Sequence, residues 1–198
     1  WRPTWRTELF AGYKANRLDE EGGEEEPDRL TPQIPILLDV LDSFGIPIVG
    51  ADDYEADDVI ATYAVREKGP IRIVTGDRDL FQLVDQKRDV KIVYLAKGIS
   101  NHDLVDLKWI ANKYGIPGDR YALFAMIRGD ASDGLPGIKG IGEKGAADLA
   151  NTFENISELM NAFENQNENL IPKYSKKIAE SLDYAKIMEK IVLCATDV

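Results

Sequence analysis

The sequence of 198 residues has one cysteine, Cys194, and one histidine, His102. A lone cysteine excludes an internal disulfide and suits a reducing compartment. His102 stands in the polar stretch S-N-H-D, with no second histidine or cysteine nearby, so we interpret it as a surface residue. A Ser-His-Asp triad or a zinc site built on histidines is therefore not expected. Any catalysis would depend on carboxylates, lysines, arginines or oxygen-bound metals.

Long apolar runs are also missing. None approaches the roughly 18 residues that a membrane span needs. The opening W-R-P-T-W-R-T-E has neither the charged start nor the apolar core of a signal peptide, so none is expected. With 44% hydrophobic and 30% charged residues, the chain has the composition of a globular protein with a sizeable core. Its length predicts one domain, or one domain with a subdomain.

The central stretch of the chain is I-R-I-V-T-G-D-R-D, residues 71 to 79. Its apolar part, bounded by glycines, predicts a buried parallel strand over Ile71–Thr75. Ligands of open parallel sheets bind beyond the carboxyl ends of the strands, where Asp77 and Asp79 would lie. Two such close carboxylates favour a divalent metal between them. An ordinary turn, for which Gly-Asp-x-Asp is also typical, stays open.

Three more acids, in Y-E-A-D-D, open a predicted helix that leads across Gly69-Pro70 into the same strand. Acids are common in a first helical turn, because the helix dipole favours them. Together with a predicted short strand over Ile46–Val49, however, the helix would form a strand–helix–strand unit. That unit would bring five carboxylates to one rim: Glu55, Asp57, Asp58, Asp77 and Asp79. Such a rim is self-repelling without a cation and makes sense as a metal site.

A second signal is the run G-D-A-S-D-G-L-P-G-I-K-G-I-G-E-K-G over residues 129 to 145. It adds the carboxylates of Asp130 and Asp133. Its glycines, followed by a predicted helix over Lys144–Phe153, favour a nest of backbone N–H groups suited to phosphate. A plain helix–helix connection is the alternative. The G-x-G-x-x-G match does not indicate dinucleotide binding, since no strand precedes it.

The remaining predicted elements are seven helices and one further strand. Helices are expected from Pro3 to about Tyr13, from Thr31 to Gly45, and over Asp79–Val84, Asp106–Tyr114, Arg120–Arg128, Ile156–Phe163 and Lys173–Leu193, and a strand is expected over Val90–Leu95. Lys14 and Arg17, three residues apart, could be solvated bases at a helix end or could grip a phosphate.

Net charge is −11, which on its face argues against nucleic acid. The run Asp19–Asp28 carries seven of the acids with no base, and we expect Leu18–Asp28 to be a mobile loop. Setting aside these seven and the seven candidate metal ligands leaves 21 acids against 24 bases. The remaining surface is mildly basic, so a nucleic-acid partner stays allowed.

Four blocks, Y-K-A-N-R, Y-E-A-D-D-V, V-T-G-D-R-D-L-F-Q-L and the run over 129 to 145, together resemble the 5′-nuclease family. This is the family of flap endonucleases and 5′–3′ exonucleases, including the nuclease domain of bacterial DNA polymerase I. The resemblance covers essentially the whole chain. It implies an α/β fold: a PIN-like, resolvase-like core over residues 1–128 with a central, mostly parallel sheet flanked by helices. A helical subdomain with a helix–three-turn–helix hairpin would follow over residues 129–198.

The resemblance also implies roles for single residues. Metal-binding carboxylates would be Glu55, Asp57, Asp58, Asp77, Asp79, Asp130 and Asp133. Lys14 and Arg17 would contact the scissile phosphate. The DNA-binding hairpin would use Gly137, Lys139, Gly140, Gly142 and Lys144. The family's first strand and two of its aspartates have no counterpart, so we expect an N-terminally truncated sequence that lacks two ligands. The acidic run at 19–28 stands where relatives have a helical arch.

The predicted function is divalent-metal hydrolysis of DNA at 5′ ends and 5′ flaps, in replication and repair. Two or three Mg²⁺ or Mn²⁺ ions are expected, with K⁺ at the hairpin left open. The expected partner is DNA, with a covalently linked polymerase domain left open, no membrane and a monomeric state. A cytoplasmic, nucleoid-associated location in a bacterium would follow. The alternatives are a PIN-like ribonuclease and a DNA-structure binding module that is inactive through missing metal ligands.

Overall fold

The structure is a computed structural model that describes residues 3–17, 31–167 and 170–198. The acidic run Asp19–Asp28, predicted to be a loop, lies outside the described residues. Within them the chain forms a small three-stranded sheet and a set of helices. No helix among the described residues is long and apolar enough to cross a membrane.

Three strands form the sheet of the described residues, in the order β1-β2-β3. Strand β1, Ile71–Thr75, pairs in parallel with β2, Val90–Tyr94, as the two apolar runs predicted. Strand β3, Asp103–Val105, runs antiparallel to β2 and was not predicted. The parallel pairing directs the carboxyl ends of β1 and β2 to the same edge of the sheet, where the chain after β1 continues into the acidic turn of residues 76–79.

The helices largely follow the predicted pattern. They are α1 (Thr4–Leu9), α2 (Ile34–Ser43), α3 (Ala56–Arg66), α4 (Leu107–Tyr114), α5 (Tyr121–Arg128), α6 (Glu143–Thr152), α7 (Ile156–Glu164), α8 (Pro172–Glu180) and α9 (Leu182–Val192). Local signals explain several ends: the Asp106 side chain caps α4 by accepting from the Trp109 N–H, and Gly115 ends it in the left-handed region. A 3₁₀ turn, Asp79–Leu83, replaces the predicted helix after β1.

Three further predicted elements differ from the structure. Residues Ile46–Val49 form no strand, and their apolar side chains are exposed together with all of α2 except the half-buried Leu41. An apolar run becomes a strand only if another strand pairs with it, and none among the described residues does. Helix α1 ends at Leu9, short of Tyr13, because Phe10 is extended. The predicted helix over Lys173–Leu193 is divided at Ser181 into α8 and α9.

One hydrophobic core joins the sheet to the C-terminal helices. Phe81, from the 3₁₀ turn after β1, is 1% exposed and lies at its centre. Its ring contacts Tyr94, Trp109 and Tyr121 at centroid distances of 5.0, 5.5 and 5.3 Å. Because Phe81 follows Asp77 and Asp79 so closely, the buried aromatic cluster fixes the turn that carries these acids.

Candidate metal and nucleic-acid site

The turn after β1 places two carboxylates at the carboxyl edge of the sheet. The Asp77 N–H donates to Thr75 Oγ1 at 2.9 Å, and the Asp79 N–H donates to Asp77 Oδ1 at 2.9 Å. Ordinary turn chemistry is therefore present. It leaves the metal hypothesis intact, because these two bonds engage only one carboxylate oxygen, Oδ1 of Asp77.

A second acidic turn, after α5, carries Asp130 and Asp133, which are 8% and 9% exposed. Asp130 Oδ1 accepts from the Ser132 N–H at 2.8 Å and from the Ser132 hydroxyl. Asp130 Oδ2 accepts from Arg78 Nη2 at 2.7 Å. Since Arg78 separates Asp77 from Asp79 in the chain, this ion pair joins the two acidic turns. The structure thus brings both pairs of acids to one edge.

The start of α3 supplies the remaining three predicted ligands, in different surroundings. Asp58 is fully buried, and both of its oxygens pair with Arg6, at 2.7 and 2.6 Å. Glu55 Oε2 accepts from Arg6 at 2.9 Å and from the Tyr13 hydroxyl at 2.6 Å. Asp57 lies beside the turn after β1, close enough for the charge of Asp77 to affect its pKa.

The predicted bases, Lys14 and Arg17, join the acidic groups on the other side. Lys14 Nζ donates to Glu55 Oε1 and lies 3.7 Å from Asp133 Oδ2. Arg17 Nη2 donates to Asp133 Oδ1 at 2.6 Å, with its side chain 46% exposed. The Lys14 N–H also donates to the Asp133 carbonyl at 2.9 Å, so the two turns are bound through their backbones. Both bases therefore lie at the acidic site.

The electrostatic state of the acids divides them into two groups. Burial and the charges of Asp77 and Glu55 raise the pKa of Asp57 to about 6. Burial and the charges of Asp77, Asp130 and Asp133 raise the pKa of Asp79 to about 7. Hydrogen bonds from Arg6 and two backbone N–H groups outweigh burial and lower the pKa of Asp58. Negative charge is thus in excess around Asp57 and Asp79 and compensated at Asp58.

A cleft of about 530 Å³ opens at this edge, lined by the 75–79 turn, Tyr94, Asp130 and Ser132. Its acidic donors are carboxylate oxygens, the ligand type that Mg²⁺ and Mn²⁺ prefer. No group of three or more acidic, histidine or cysteine side chains in the described part of the chain is arranged to enclose an ion. The chemistry and the charge of these donors fit a divalent cation. Because they do not yet enclose an ion, binding would require the carboxylates to move closer together.

The glycine-rich hairpin lies between α5 and α6, with Gly137 buried and Lys139, Gly140, Gly142 and Lys144 exposed. Several of its amides are engaged within the protein: the Ile138 N–H donates to the Ile127 carbonyl, the Lys139 N–H to Ser181 Oγ and the Ile141 N–H to the Ile138 carbonyl, each at 2.9 Å. Lys177 Nζ donates to the Gly140 carbonyl, which adds a third positive side chain to the hairpin. The predicted phosphate-binding surface therefore offers fewer available backbone N–H groups and more lysine side chains than the sequence predicted.

Sequence reasoning missed several residues of this site, above all Arg6, Arg78 and Ser132. Each is polar and close to an acid in space, but only Arg78 and Ser132 are close to one in sequence. Their positions within D-R-D and D-A-S-D could have indicated them. Arg6 gave no local signal, because its carboxylate partners are 49 and 52 residues away.

Family comparisons agree with this geometry. A model described as the N-terminal resolvase-like domain of 5′–3′ exonucleases matches residues 2–115, and one described as their C-terminal SAM fold matches residues 116–198. The chain belongs to the 5′–3′ exonuclease family. This assignment confirms the resemblance, the nuclease class and the predicted fold class, a resolvase-like α/β domain followed by a helical one.

Similar curated proteins come from bacteria. A 5′–3′ exonuclease of Streptomyces coelicolor is 47% identical, and one of Mycobacterium tuberculosis is 40% identical, each over 100% of this exonuclease-family chain. The chain spans about two thirds of these relatives, 67% and 66% of their lengths. The DNA polymerase I of Mycobacterium bovis is 38% identical over 80% of the chain, which corresponds to 17% of that polymerase.

Solved structures show the same fold at low sequence identity. A mutant of the T5 5′-exonuclease has a TM-score of 0.72 at 15% identity, and covers 99% of this chain and 71% of its own. The catalytic core of Rad2 in complex with DNA substrate has a TM-score of 0.53 at 19% identity, over 99% and 65% of the two chains. These similarities support the fold of the exonuclease-family chain.

Proposed function

We propose that this chain hydrolyses phosphodiester bonds of DNA at 5′ ends and 5′ flaps, using divalent cations held by its acidic edge. The observation that carries the proposal is the meeting of Asp77, Asp79 and Asp130 at one cleft, with Asp133 in the same acidic turn as Asp130. Relatives named 5′–3′ exonuclease, a T5 flap endonuclease crystallised with DNA and metal ions, and a Rad2 core with DNA substrate support it.

The residues that would hold the ions are Asp57, Asp77 and Asp79, with Glu55, Asp130 and Asp133 completing the set. Mg²⁺ or Mn²⁺ at such a site activates water and neutralises charge on the transferred phosphate. Burial and the excess negative charge raise the pKa values of Asp57 and Asp79, and that excess charge would draw a dication to this edge. The remaining predicted ligand, Asp58, is fully buried, and both of its oxygens are paired with Arg6.

The two predicted phosphate contacts would work in combination with the acids. Arg17, half exposed at the rim, can turn from Asp133 towards a phosphate once the charge of Asp133 is neutralised. Lys14 is nearly buried and is held by Glu55, so it could contact only a phosphate that comes close to it. Both cations would stabilise the charge that develops on the scissile phosphate.

The hairpin between α5 and α6 would hold the duplex through its backbone phosphates. Lys139, Lys144 and Lys177 offer positive charge at a turn whose glycines let the DNA backbone approach closely. Contacts of this kind orient the duplex without reading its sequence. The preference for a structure rather than a sequence would follow from the fixed distance between hairpin and acidic cleft.

Asp77→Asn tests the proposal. We expect it to abolish Mg²⁺-dependent cleavage of a 5′-flap substrate while flap binding, measured by fluorescence anisotropy, stays close to wild type. The matched control is Asp42→Asn, which makes the same change on the exposed face of α2 and should cleave normally. Near wild-type cleavage by Asp77→Asn would contradict the proposal. A wild-type chain that binds flaps but does not cut with Mn²⁺ would favour a binding module, and preferential cutting of matched RNA flaps would favour a ribonuclease.

A further inference from the structure

The buried guanidinium of Arg6 uses all five of its N–H groups. Three donate to carboxylates: two to Asp58, at 2.7 and 2.6 Å, and one to Glu55 at 2.9 Å. The other two donate to the carbonyls of Ile191 and Leu193, each at 3.2 Å. Arg6 is 2% exposed, so these bonds replace water rather than compete with it. A single side chain therefore joins α1, the start of α3 and the end of α9.

Asp58 is saturated in the same way. Its Oδ2 accepts from Arg6 and from the Glu55 N–H at 3.0 Å, and its Oδ1 accepts from Arg6 and from the Ala195 N–H at 2.8 Å. A carboxylate has about four acceptor positions, and all are in use. The residue is also completely buried, with an exposed fraction of 0%. Binding a metal ion would require Asp58 to give up buried bonds to a cation that is already there.

The segment of residues 191–195 makes a second set of contacts, through Gln82. The Gln82 side-chain amide donates to the Val192 carbonyl at 3.1 Å and to the Asp79 carbonyl at 2.9 Å. Its oxygen accepts from the Cys194 N–H at 3.0 Å. The segment 191–195, called the strap from here on, is therefore bonded to the start of α3 through Arg6 and Asp58, and to the turn after β1 through Gln82.

We propose that Asp58 is a positioning residue rather than a metal ligand, and that Arg6, Asp58 and Gln82 hold the strap across the two acid-bearing segments. The strap then sets the separation between the acids that begin α3 and the acids that follow β1. It also couples the acidic edge to α9, which packs on α8 and α5. This inference rests on the proposed function for the identity of the ligands and adds an assignment of its own, the role of the strap.

The decisive measurement is Mn²⁺ binding by the full chain without DNA, followed by electron paramagnetic resonance. For Asp58→Asn we expect the wild-type number of bound ions, with an affinity weakened about 10-fold or more, as for other groups that orient ligands. Asp77→Asn, as the comparison, should lose a bound ion. If Asp58→Asn loses an ion as Asp77→Asn does, while keeping the wild-type melting temperature in EDTA, Asp58 is a ligand and the inference is wrong.

Gln82→Met provides a second variant, because it removes the two bonds to the strap and the one to the Asp79 carbonyl without changing a charge or replacing a predicted ligand. We expect an unchanged number of bound Mn²⁺ ions and an affinity lowered about 10-fold. Ile178→Val in the buried face of α8 is the control for stability alone: it should lower the melting temperature and leave Mn²⁺ affinity unchanged. Wild-type affinity in Gln82→Met would overturn the positioning role.

These outcomes separate the two proposals. If the wild-type chain binds Mn²⁺ and cuts flaps, and Asp58→Asn and Gln82→Met bind Mn²⁺ as wild type does, only the proposed role of the strap is contradicted. A wild-type chain that binds Mn²⁺, responds to Gln82→Met as described, and still does not cut DNA contradicts the proposed function alone. A wild-type chain that binds no Mn²⁺ contradicts both.

Discussion

Arg78 donates a 2.7 Å hydrogen bond to Asp130, so a cation from one acidic turn is paired with an acid from the other. The Arg78 side chain is 44% exposed, and that of Asp130 only 9%. Together with the Ser132 bonds, the pair outweighs burial and keeps the pKa of Asp130 below its ordinary value. Arg78 thus offsets part of the repulsion among the clustered carboxylates in the absence of a metal ion.

Arg78→Gln should make the protein more dependent on divalent cations. Without the guanidinium, repulsion among the acids increases, and the free energy of unfolding in EDTA should fall by about 1 kcal/mol, the scale of a partly exposed ion pair. Since a dication relieves that repulsion, saturating Mg²⁺ should raise the melting temperature of the variant more than that of wild type. Thermal unfolding with and without Mg²⁺ measures both effects.

Arg72→Gln is the matched control, because Arg72 pairs with Asp89 on the surface at 2.9 Å with a similar exposure of 38%. It lies outside the acidic site and should respond to Mg²⁺ as wild type does. Equal responses of the Arg78 and Arg72 variants would contradict the role given to Arg78.

The raised pKa values of Asp57 and Asp79 predict an unusual dependence of stability on pH in the absence of metal. In the folded protein they hold protons up to about pH 6 and 7, whereas unfolded aspartate loses its proton near pH 3.9. Their contribution to stability is therefore fully present below about pH 4 and is lost as pH rises through 6 to 7. Metal binding should release protons and strengthen over the same range.

Asp79→Asn measures this effect directly. In EDTA at pH 8, the variant should exceed wild type in free energy of unfolding, by an amount on the order of 2 kcal/mol, since the amide carries no charge to repel its neighbours. The difference should shrink towards pH 4. Asp42→Asn, exposed on α2, serves as the reference. If Asp79→Asn is less stable than wild type at pH 8 in EDTA, the charge of Asp79 is already compensated in the folded wild-type protein, and the prediction is wrong.

Local patterns predicted the fold and the acidic edge better than they predicted the pairing of charges. The apolar runs of β1 and β2 and the acids that follow β1 appear in the sequence as neighbours, so their shared edge could be inferred. Asp57 and Asp58 look equivalent in sequence, yet one is repelled by other acids and the other is saturated by Arg6. That difference depends on residues 6 and 195, which no local pattern connects to α3.

The two errors in the sheet have related causes. Ile46–Val49 has the composition of a strand, but a strand also needs a partner, and β1 is paired only with β2 among the described residues. Asp103–Val105 is too short to predict a strand and becomes one through its register with β2, Val105 opposite Ile92. In both cases the outcome is decided by pairing over distance rather than by propensity.

The close contact of the Gly12 and Gly134 turns predicts a steric effect on Lys14 and Arg17, the bases proposed to contact the scissile phosphate. Gly134 has a φ of +69°, and a Cβ there would lie 2.3 Å from the Gly12 carbonyl oxygen. Gly134→Ala should therefore lower the free energy of unfolding by about 1–3 kcal/mol and displace the turn that carries Lys14. Flap cleavage should fall more than flap binding, as single-turnover kinetics would show.

Gly50→Ala is the appropriate comparison for Gly134→Ala, since nothing lies within 4 Å of a Cβ at Gly50 and its backbone is outside the left-handed region. It should change neither stability nor cleavage appreciably. If Gly134→Ala were equally harmless, the two turns would not be held together as tightly as their backbone contact indicates.

The exposed lysines of the hairpin predict a salt-dependent contribution to DNA binding. Lys144 lies in the first turn of α6, directly after the glycine-rich turn. If it contacts a phosphate, Lys144→Ala should weaken binding of flaps of any sequence and lower the slope of log affinity against log salt by about one. Anisotropy titrations over a range of KCl concentrations measure that slope. Lys108→Ala on α4, which removes an equally exposed lysine outside the hairpin, should leave the slope unchanged. Since the two variants have the same net charge, equal slopes would mean that the hairpin does not contact the duplex and that binding follows total charge alone.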